Sequence, residues 1–383
     1  MTDYLFQTVS TIAVGTDRVL TLDGFCKQLG VSRPLLVTDS GLVGLGLIDP
    51  PAAALAAAGL EATVFDEVEA DPSEAVVERA LARLRQADCD GVIAVGGGSS
   101  MDTAKVVAAL AVADQPLSEM YGVDQIAGAR LPLILVPTTA GTGSEATPVA
   151  VITTGDTTKA GISDATLLPD VAVLDAALTT GLPPAVTAMT GIDAMVHAIE
   201  AFTSIHRKNP ISDALALEAM KLLTHNLLTV LDEPHNLAAR ESMLLGSLFA
   251  GQAFANAPVA AVHALAYPLG GHFHIPHGLS NSLMLPSVLS FNASAAGQHY
   301  AALTACLPGS VPATAEGLIA WLEEMIAASG LPRSLEAAGV PLSAIPTLAA
   351  DAMTQQRLLV NNPVPVSESD AVRLYEKAWE GLR

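Results

Sequence analysis

The sequence predicts two domains, an α/β domain followed by an all-helical domain. The chain has 383 residues, which is more than one ordinary core accommodates. Up to about Leu182, short apolar runs bounded by turn residues alternate with helical runs, whereas almost every later segment has helical spacing. We therefore predict domains at 1–184 and 185–383, because the paired prolines Pro183 and Pro184 mark a helix start or a hinge.

Five short apolar runs of the first half are predicted to be strands. They lie at 34–39, 61–65, 91–95, 131–137 and 171–175. Runs of this kind are typical of strands that are buried on both faces of a parallel sheet. Helical runs at 51–59 and 74–88 separate some of them, and strand–helix–strand order indicates an α/β layer architecture.

The second half is predicted to be helical almost throughout. Apolar side chains recur at helical spacing in three long runs, at 211–231, 314–330 and 369–382. Glycine or proline marks where such runs stop. The composition agrees, because many residues are alanine and only 4% are aromatic, a balance that favours helices.

The charge of the chain argues against two classes of partner. Eighteen basic and 39 acidic residues give a formal net charge of −21. Nucleic acids and anionic membranes both require a basic surface, so we expect neither as a partner. The sequence also lacks an uninterrupted apolar run of about 18 residues, the length that a membrane span needs.

The cysteines and the N-terminal residues predict a cytoplasmic protein. Cys26, Cys89 and Cys306 lie far apart, which suits a reducing compartment and provides neither a disulfide framework nor a thiolate metal site. The first ten residues have no basic segment followed by an apolar one, so they do not resemble a signal peptide.

A glycine-rich turn follows the predicted strand at 91–95. It reads GGGSSMDTAK, where Gly97 and Gly98 would let the backbone approach an anion and Ser99 lies at a helix N-terminus with unpaired N–H groups. A tight turn that needs positive φ explains these glycines equally well. The GxGxxG fingerprint of many dinucleotide sites is absent.

Two further segments favour a dinucleotide. Thr138, Thr139 and Thr142 of PTTAGTGSE offer hydroxyls for phosphate and ribose oxygens, although a polar loop capped by its own threonines is the alternative. Asp39 ends the first predicted strand, where a carboxylate binds a ribose 2′-OH, although turn or N-cap residues are common there too. All three segments follow strand ends, where open α/β sheets bind ligands, so we predict an NAD site.

One carboxylate and three imidazoles of the second half predict a metal site. Asp193 and His197 are four residues apart in a helical run and therefore share one face, whereas His263 and His277 must come from separate elements. The glycines and prolines of PLGGHFHIP would turn the chain between those two. An Asp and three His suit a divalent first-row ion such as Fe²⁺ or Zn²⁺. A salt-bridged pair, Asp193 with His197, is the alternative, but burying all four groups without a cation is unfavourable.

At this point the sequence resembles the iron-containing (group III) alcohol dehydrogenases. The resemblance covers essentially the whole chain and rests on four motifs in family order. They are GGGSSMDTAK, PTTAGTGSE, PDVAVLDAALTTGLPPAVTAMTGIDAMVHAIEAFTS and VHALAYPLGGHFHIPHGLSN. The resemblance implies an N-terminal α/β domain with a parallel Rossmann-like sheet, an all-α C-terminal domain, and a cleft between them. This architecture is similar to that of dehydroquinate synthase.

The resemblance also implies roles for individual residues. It implies a metal site in the helical domain and a cofactor site in the α/β domain. The metal ligands would be Asp193, His197, His263 and His277. His263 and His277 are also predicted to be catalytic residues. The pyrophosphate would lie on Gly97, Gly98 and Ser99. Thr138, Thr139 and Thr142 would line the cofactor, with Asp102 near the nicotinamide, Lys159 at its ribose, Leu178 near the adenine, and Asp39 favouring NAD over NADP.

One position departs from the family pattern. Several members have a histidine four residues after the third ligand, often proposed as a proton relay, and this chain has Tyr267 there. His272 and His274 are nearby candidates for proton relay or substrate contact, and Tyr267 and His274 complete the predicted catalytic set. Either histidine could equally be a polar residue at the rim.

The function predicted in this way is hydride transfer between a small alcohol or aldehyde and NAD, assisted by a divalent metal, Fe²⁺ before Zn²⁺. Two alternatives stay open, a metal-independent reductase of an oxo-acid such as maleylacetate and a non-redox enzyme on the same scaffold. The family further implies a homodimer or a larger homo-oligomer.

Overall fold

The computed structural model describes residues 3–155 and 158–381. The chain divides into two compact units. Segments Gln7–Thr139 and Gly143–Thr180 form the first, which we call the sheet unit. The chain from Gly181 onward, together with the loop residues Ala140–Thr142, belongs to the second, which we call the helical unit.

The strands of the described residues all lie in the sheet unit. In chain order they are β1 Thr11–Val14, β2 Pro34–Val37, β3 Thr63–Phe65, β4 Gly91–Gly96, β5 Gly122–Val123, β6 Leu133–Pro137, β7 Val149–Thr154, β8 Thr158–Ser163 and β9 Val171–Leu174. Six of them form one parallel sheet in the order β1-β9-β6-β4-β2-β3. The predicted parallel sheet is therefore confirmed.

Two elements of the sheet unit lie outside the sequence prediction. Strand β1 pairs with β9 at the sheet edge, and Ala13 is the one buried residue of its four. Strands β5, β8 and β7 form a second, three-stranded sheet, in which β7 and β8 are antiparallel. Their half-buried faces lack the apolar signal that identifies the central strands.

In the described part of the sheet unit, five α-helices accompany the strands. They are α1 Leu22–Leu29, α2 Ser40–Gly44, α3 Asp49–Ala57, α4 Glu74–Gln86 and α5 Gly98–Leu110. Alternate residues of a strand point to opposite faces, so Leu35 and Val37 enter one apolar core while Leu36 enters the other. Helices cover both faces, with α4 and α5 in the first core and α1 and α3 in the second.

The helical unit is built from nine α-helices within the described residues. They are α6 Pro184–Thr203, α7 Pro210–Asp232, α8 Leu237–Asn256, α9 Ala261–Phe273, α10 His277–Leu303, α11 Ala315–Ala328, α12 Ile345–Ala352, α13 Gln356–Leu359 and α14 Glu368–Glu380. Helix α6 is buried without interruption from Gly191 to Thr203 and packs against α7, α8 and α10. The prediction of an all-helical second part is confirmed.

The segment PLGGHFHIP turns the chain later than its composition predicts. Pro268, Gly270 and Gly271 lie inside α9, which continues to Phe273. The helix ends at His274, which has a left-handed φ of 53°. The expectation that these glycines and the first proline make the turn is therefore wrong, because neighbouring helices stabilise α9 through them.

By length and composition alone, one described helix, α7, could cross a membrane. The number of candidate spans rises to two if the bent pair of helices α8 and α9 is taken together as a single span. This is weak evidence, because core helices have the same composition. Helix α7 packs along both α6 and α8.

Candidate metal centre and cofactor segments

The structure brings the four predicted metal ligands together. One ligand atom from each of Asp193, His197, His263 and His277 lies within 4.8 Å of every other. The first three side chains are at most 4% exposed, and the His277 side chain is 30% exposed. Helix α6 supplies Asp193 and His197 from one face, α9 supplies His263 from its first turn, and α10 begins at His277.

Two imidazole rings of this quartet are oriented by hydrogen bonds at Nδ1. Nδ1 of His197 donates to the Gly141 carbonyl at 3.2 Å, and the ring stacks on Phe254 with centroids 4.4 Å apart. Nδ1 of His263 donates to Oε2 of Glu200 at 2.6 Å. Because Nδ1 carries the proton in both rings, Nε2 keeps its lone pair for a cation.

Burial and neighbouring side chains shift the pKa values of the predicted metal ligands. Burial lowers the pKa of His197, and burial together with the neighbouring imidazoles holds the pKa of His263 well below its ordinary value. Burial acts to raise the pKa of Asp193, but the three imidazoles and Asn281 outweigh it, so the pKa is lowered. All three shifts favour the deprotonated side chains, which are the forms that bind metals.

Asn281 was not predicted from the sequence, and its side chain contacts three of the four predicted ligands. Its Nδ2 is 2.5 Å from Oδ1 of Asp193 and 3.2 Å from Nε2 of both His263 and His277. Two amide hydrogens cannot satisfy three acceptors, and Oδ1 of Asn281 is buried without a hydrogen-bond partner. An inward-facing set of acceptors fits a divalent cation, and one oxygen with three nitrogens suits iron or zinc.

Gly278 sets how closely α10 approaches α6 beside His277. A Cβ at this position would lie 2.4 Å from the Met189 carbonyl oxygen, so Gly278→Ala forces the two helices apart. We expect a loss of about 1–3 kcal/mol in the free energy of unfolding, as for other overpacked sites, together with weaker metal binding. Urea unfolding and metal titration measure the two effects.

A control for Gly278→Ala exists on the same helix. A Cβ at Gly297 meets no atom within 4 Å, so Gly297→Ala should stabilise α10 by roughly 0.5–1 kcal/mol and leave metal binding unchanged. Equal metal affinity in the two variants would show that close packing at Gly278 does not position His277.

The remaining predicted catalytic residues lie along α9 and at its end. The Tyr267 ring is tilted against His277 with centroids 5.8 Å apart. His274 is exposed at the C-cap of α9, and the exposed His272 contacts Asp351 at 3.0 Å. Of these, the structure places Tyr267 next to the quartet.

In the sheet unit, the glycine-rich turn forms the start of α5. Gly97 is the N-cap residue, Gly98 and Ser99 open the helix, and no side chain caps it. None of the three glycines at 96–98 has positive φ, so the interpretation as a turn that needs positive φ is wrong. An uncapped helix N-terminus with small residues is a suitable place for a pyrophosphate.

The predicted threonines occupy different surroundings. Thr138 is buried, and the Thr139 side chain lies 3.7 Å from where a Cβ of Gly97 would be, so these residues adjoin the start of α5. Thr142 is half-buried and belongs to the helical unit.

Asp102 belongs to a buried polar cluster that the sequence did not predict. Oδ1 of Asp102 accepts from Ser144 at 2.6 Å, and Oδ2 accepts from the Val151 N–H at 2.9 Å. Nζ of Lys105 donates to Ser144 at 2.7 Å and to Val149 O at 2.7 Å. Burial raises the pKa of Asp102 and lowers that of Lys105 to about 8. Both carboxylate oxygens of Asp102 therefore already have partners within the sheet unit.

The other predicted cofactor residues each have a structural partner. Asp39 caps α2 by accepting from the Leu42 N–H at 3.0 Å, as the alternative interpretation expects. Lys159 pairs with Asp71 at 2.6 Å. Leu178 is 7% exposed and packs in the apolar core that contains α1 and α3.

Comparison with known proteins identifies the family. A family model described as iron-containing alcohol dehydrogenase matches residues 10–176, and the model of the C-terminal part of the Fe-containing alcohol dehydrogenase family matches residues 187–379. The chain belongs to the iron-containing alcohol dehydrogenase family. The resemblance predicted from the four motifs is therefore confirmed.

Individual members of the iron-containing alcohol dehydrogenases resemble the chain over nearly its whole length. Long-chain-alcohol dehydrogenase 1 of Geobacillus thermodenitrificans is 40% identical over 93% of this chain and 91% of its own. A crystal structure of 1,3-propanediol oxidoreductase superposes with a TM-score of 0.94 at 34% identity, covering 99% of this chain and 100% of that one. Sulfoacetaldehyde reductase of Bifidobacterium kashiwanohense, solved with NAD⁺, gives 0.88 at 29% identity and 98% coverage of both.

Family membership establishes the general chemistry. This iron-type alcohol dehydrogenase is an NAD-dependent oxidoreductase acting between alcohols and aldehydes, and its cofactors are NAD and a divalent metal. The predicted enzyme class and cofactors are therefore confirmed.

Two positioning features escaped the sequence prediction, Glu200 and the Gly141 carbonyl. Helical spacing could have identified Glu200, because it continues the face of Asp193 and His197 along α6. No sequence pattern identifies the Gly141 carbonyl, because its contact with His197 spans 56 residues of sequence.

Proposed function

We propose that Asp193, His197, His263 and His277 bind the divalent ion, Fe²⁺ in preference to Zn²⁺, and that the enzyme interconverts a small alcohol and its aldehyde. The observation that carries this proposal is the convergence of the four ligand atoms within 4.8 Å. When bound, the ion supplies Lewis acidity to the substrate oxygen, and NAD supplies the hydride acceptor.

The residues of the helical unit have separate tasks in this proposal. Asp193 supplies the negative charge, while the Gly141 carbonyl and Glu200 hold the rings of His197 and His263 in one orientation. Phe254 stacks on His197 and keeps water from that side of the site. The substrate proton leaves past His277 and Tyr267, because His277 is the most exposed of the four ligands.

The predicted cofactor residues have separate tasks in this proposal. Gly97, Gly98 and Ser99 bind the pyrophosphate at the start of α5, with Thr138, Thr139 and Thr142 along the cofactor. We keep Lys159 as a contact of the nicotinamide ribose and Leu178 as a neighbour of the adenine. Asp102 acts near the nicotinamide through the loop that it holds, since Ser144 and Val151 occupy its oxygens. His274 is kept as a substrate contact.

Asp39 should determine the preference for NAD. Asp39→Asn keeps the oxygen that caps α2 but removes the negative charge that repels a 2′-phosphate. Removing about 1–4 kcal/mol of repulsion should raise kcat/KM for NADP relative to NAD at least about tenfold. Steady-state kinetics with both cofactors measures this ratio.

The exposed Asp49, at the start of α3, provides the control for Asp39→Asn. Asp49→Asn makes the same charge change and should leave the ratio as in wild type. A shift of equal size in both variants would attribute the effect to net charge and reject Asp39 as the 2′-position contact.

Metal removal and reloading test the proposed function. The wild-type enzyme is stripped with a strong chelator, reloaded anaerobically with Fe²⁺ or Zn²⁺, and assayed by NADH absorbance against small primary alcohols, diols and hydroxy acids. We expect activity to disappear on stripping and to return on reloading. Full turnover by metal-free protein would support the metal-independent oxo-acid reductase instead, and turnover without change in NADH would support a non-redox enzyme.

The finer organisation belongs to the same proposal. We propose domains at 1–184 and 185–383, a homodimer or larger homo-oligomer, and a cytoplasmic location. The three separated cysteines, which suit a reducing compartment, support the last of these.

A further inference from the structure

Glu200 is a buried carboxylate on the metal-binding face of α6. It follows His197 by three residues and Asp193 by seven, so the three side chains lie on one side of the helix. Its side chain is 4% exposed. A buried acid is unfavourable unless every oxygen finds a donor.

Three donors from the start of α9 converge on this carboxylate. The Ala260 N–H donates to Oε2 at 2.9 Å, the Val262 N–H donates to Oε1 at 2.7 Å, and Nδ1 of His263 donates to Oε2 at 2.6 Å. The N-cap residue of α9, Ala260, has no side chain that could cap the helix. Glu200 therefore caps α9 from another helix, and it does so at the turn that carries a metal ligand.

The contact with His263 selects one form of that ring. The Ala260 and Val262 N–H groups favour the ionised form of Glu200, and a carboxylate only accepts hydrogen bonds, so the proton of this contact lies on Nδ1 of His263. Nε2 then has a lone pair, and it faces the ligand group, 3.2 Å from Nδ2 of Asn281. His197 reaches the same state through a neutral carbonyl, whereas His263 does so through a charged group.

We propose that Glu200 is a positioning residue of the metal site, which fixes the tautomer and orientation of His263 and ties α9 to the two ligands of α6. The inference rests on the proposed function of the quartet as the metal site. A carboxylate behind a metal-bound imidazole increases its basicity and fixes its direction, and such partners typically contribute 10–100-fold to metal affinity.

Glu200→Gln tests this role without shortening the side chain. The amide nitrogen of Gln cannot accept from a backbone N–H or from Nδ1, so at least one of the three hydrogen bonds to α9 is lost or reversed. Competition between the metal-free protein and a chromophoric chelator for Zn²⁺ or Co²⁺ gives the dissociation constant. We expect Glu200→Gln to weaken metal binding about 10–100-fold.

Tyr375→Phe is the matched control for a purely structural role. The Tyr375 hydroxyl donates to the Leu265 carbonyl at 2.6 Å, so this variant also removes a buried hydrogen bond to α9, two residues from His263. Both variants should lose stability, but Tyr375→Phe should keep the metal dissociation constant within about twofold of wild type. If the metal dissociation constant of Glu200→Gln also stayed within that range, Glu200 would act only as a helix cap.

A measurement on the wild-type protein keeps the inference testable if Glu200→Gln does not fold. Long-range ¹⁵N–¹H correlation spectra of the metal-free protein report which ring nitrogen of His263 is protonated. We expect Nδ1, and a proton on Nε2 would overturn the role of Glu200. If the His277→Ala variant bound metal as tightly as the wild-type protein, that result would instead overturn the metal site itself.

Discussion

Replacing His277 by Ala should lower kcat/KM for NAD-linked alcohol oxidation by at least about 10³-fold while the protein stays folded. The ring supplies one of four ligand atoms, and the remaining three leave the ion weakly held. A metal that polarises the substrate oxygen contributes several kcal/mol to the transition state, which corresponds to about three powers of ten in rate. Because the His277 side chain is 30% exposed at the first residue of α10, its removal creates no closed cavity.

Kinetics, metal content and circular dichroism together check this prediction. His235→Ala is the control, since His235 is exposed in the turn between α7 and α8 and lies outside the quartet. It should keep wild-type rate and metal content. If His277→Ala retained full metal content and turnover, His277 would not be a ligand.

Replacing Lys105 by Met should lower the free energy of unfolding by about 3–5 kcal/mol. The Lys105 side chain is fully buried, and its Nζ contacts Ser144, Thr147 and the Val149 carbonyl. Nζ also lies 3.8 Å from Oδ1 of Asp102. Met has a similar volume but no charge, so the variant removes three buried hydrogen bonds and the cation beside the Asp102 carboxylate.

Urea unfolding of the holoenzyme measures this loss. Lys27→Met provides the comparison, because Lys27 pairs with Asp23 on the surface of α1 with its side chain 62% exposed. Exposed pairs of this spacing contribute roughly 0.3–0.5 kcal/mol. Similar losses in the two variants would show that the cluster around Lys105 does not stabilise the sheet unit.

The central sheet was predictable because its strands are buried on both faces. Burial of that kind selects uninterrupted apolar runs such as those of β4 and β6, whose residues are all buried. β1 lies at the sheet edge with one buried residue, and its apolar run of three residues is too short to identify a strand. The end of α9 was not predictable from its glycines, because packing against other helices outweighs local propensity.

The ligand quartet could be predicted from residue type, helical spacing and family motifs. Its supporting contacts could not, because each one joins residues distant in sequence. Glu200 reaches His263 across 63 residues, and Asn281 reaches Asp193 across 88. Those pairings depend on how α6, α9 and α10 pack, and packing is decided by shape rather than by any short pattern.

The four proposed ligands come from three separate helices, so the ion would act as a cross-link that only the folded chain can bind. The stability of the native state, and with it the lifetime of the protein, then depends on the supply of the metal. With the ion at a thousand times its dissociation constant, the native state gains about 4 kcal/mol, and this gain disappears when the ion is withdrawn. Iron starvation should therefore shorten the half-life of the enzyme during proteolysis, in addition to abolishing its activity.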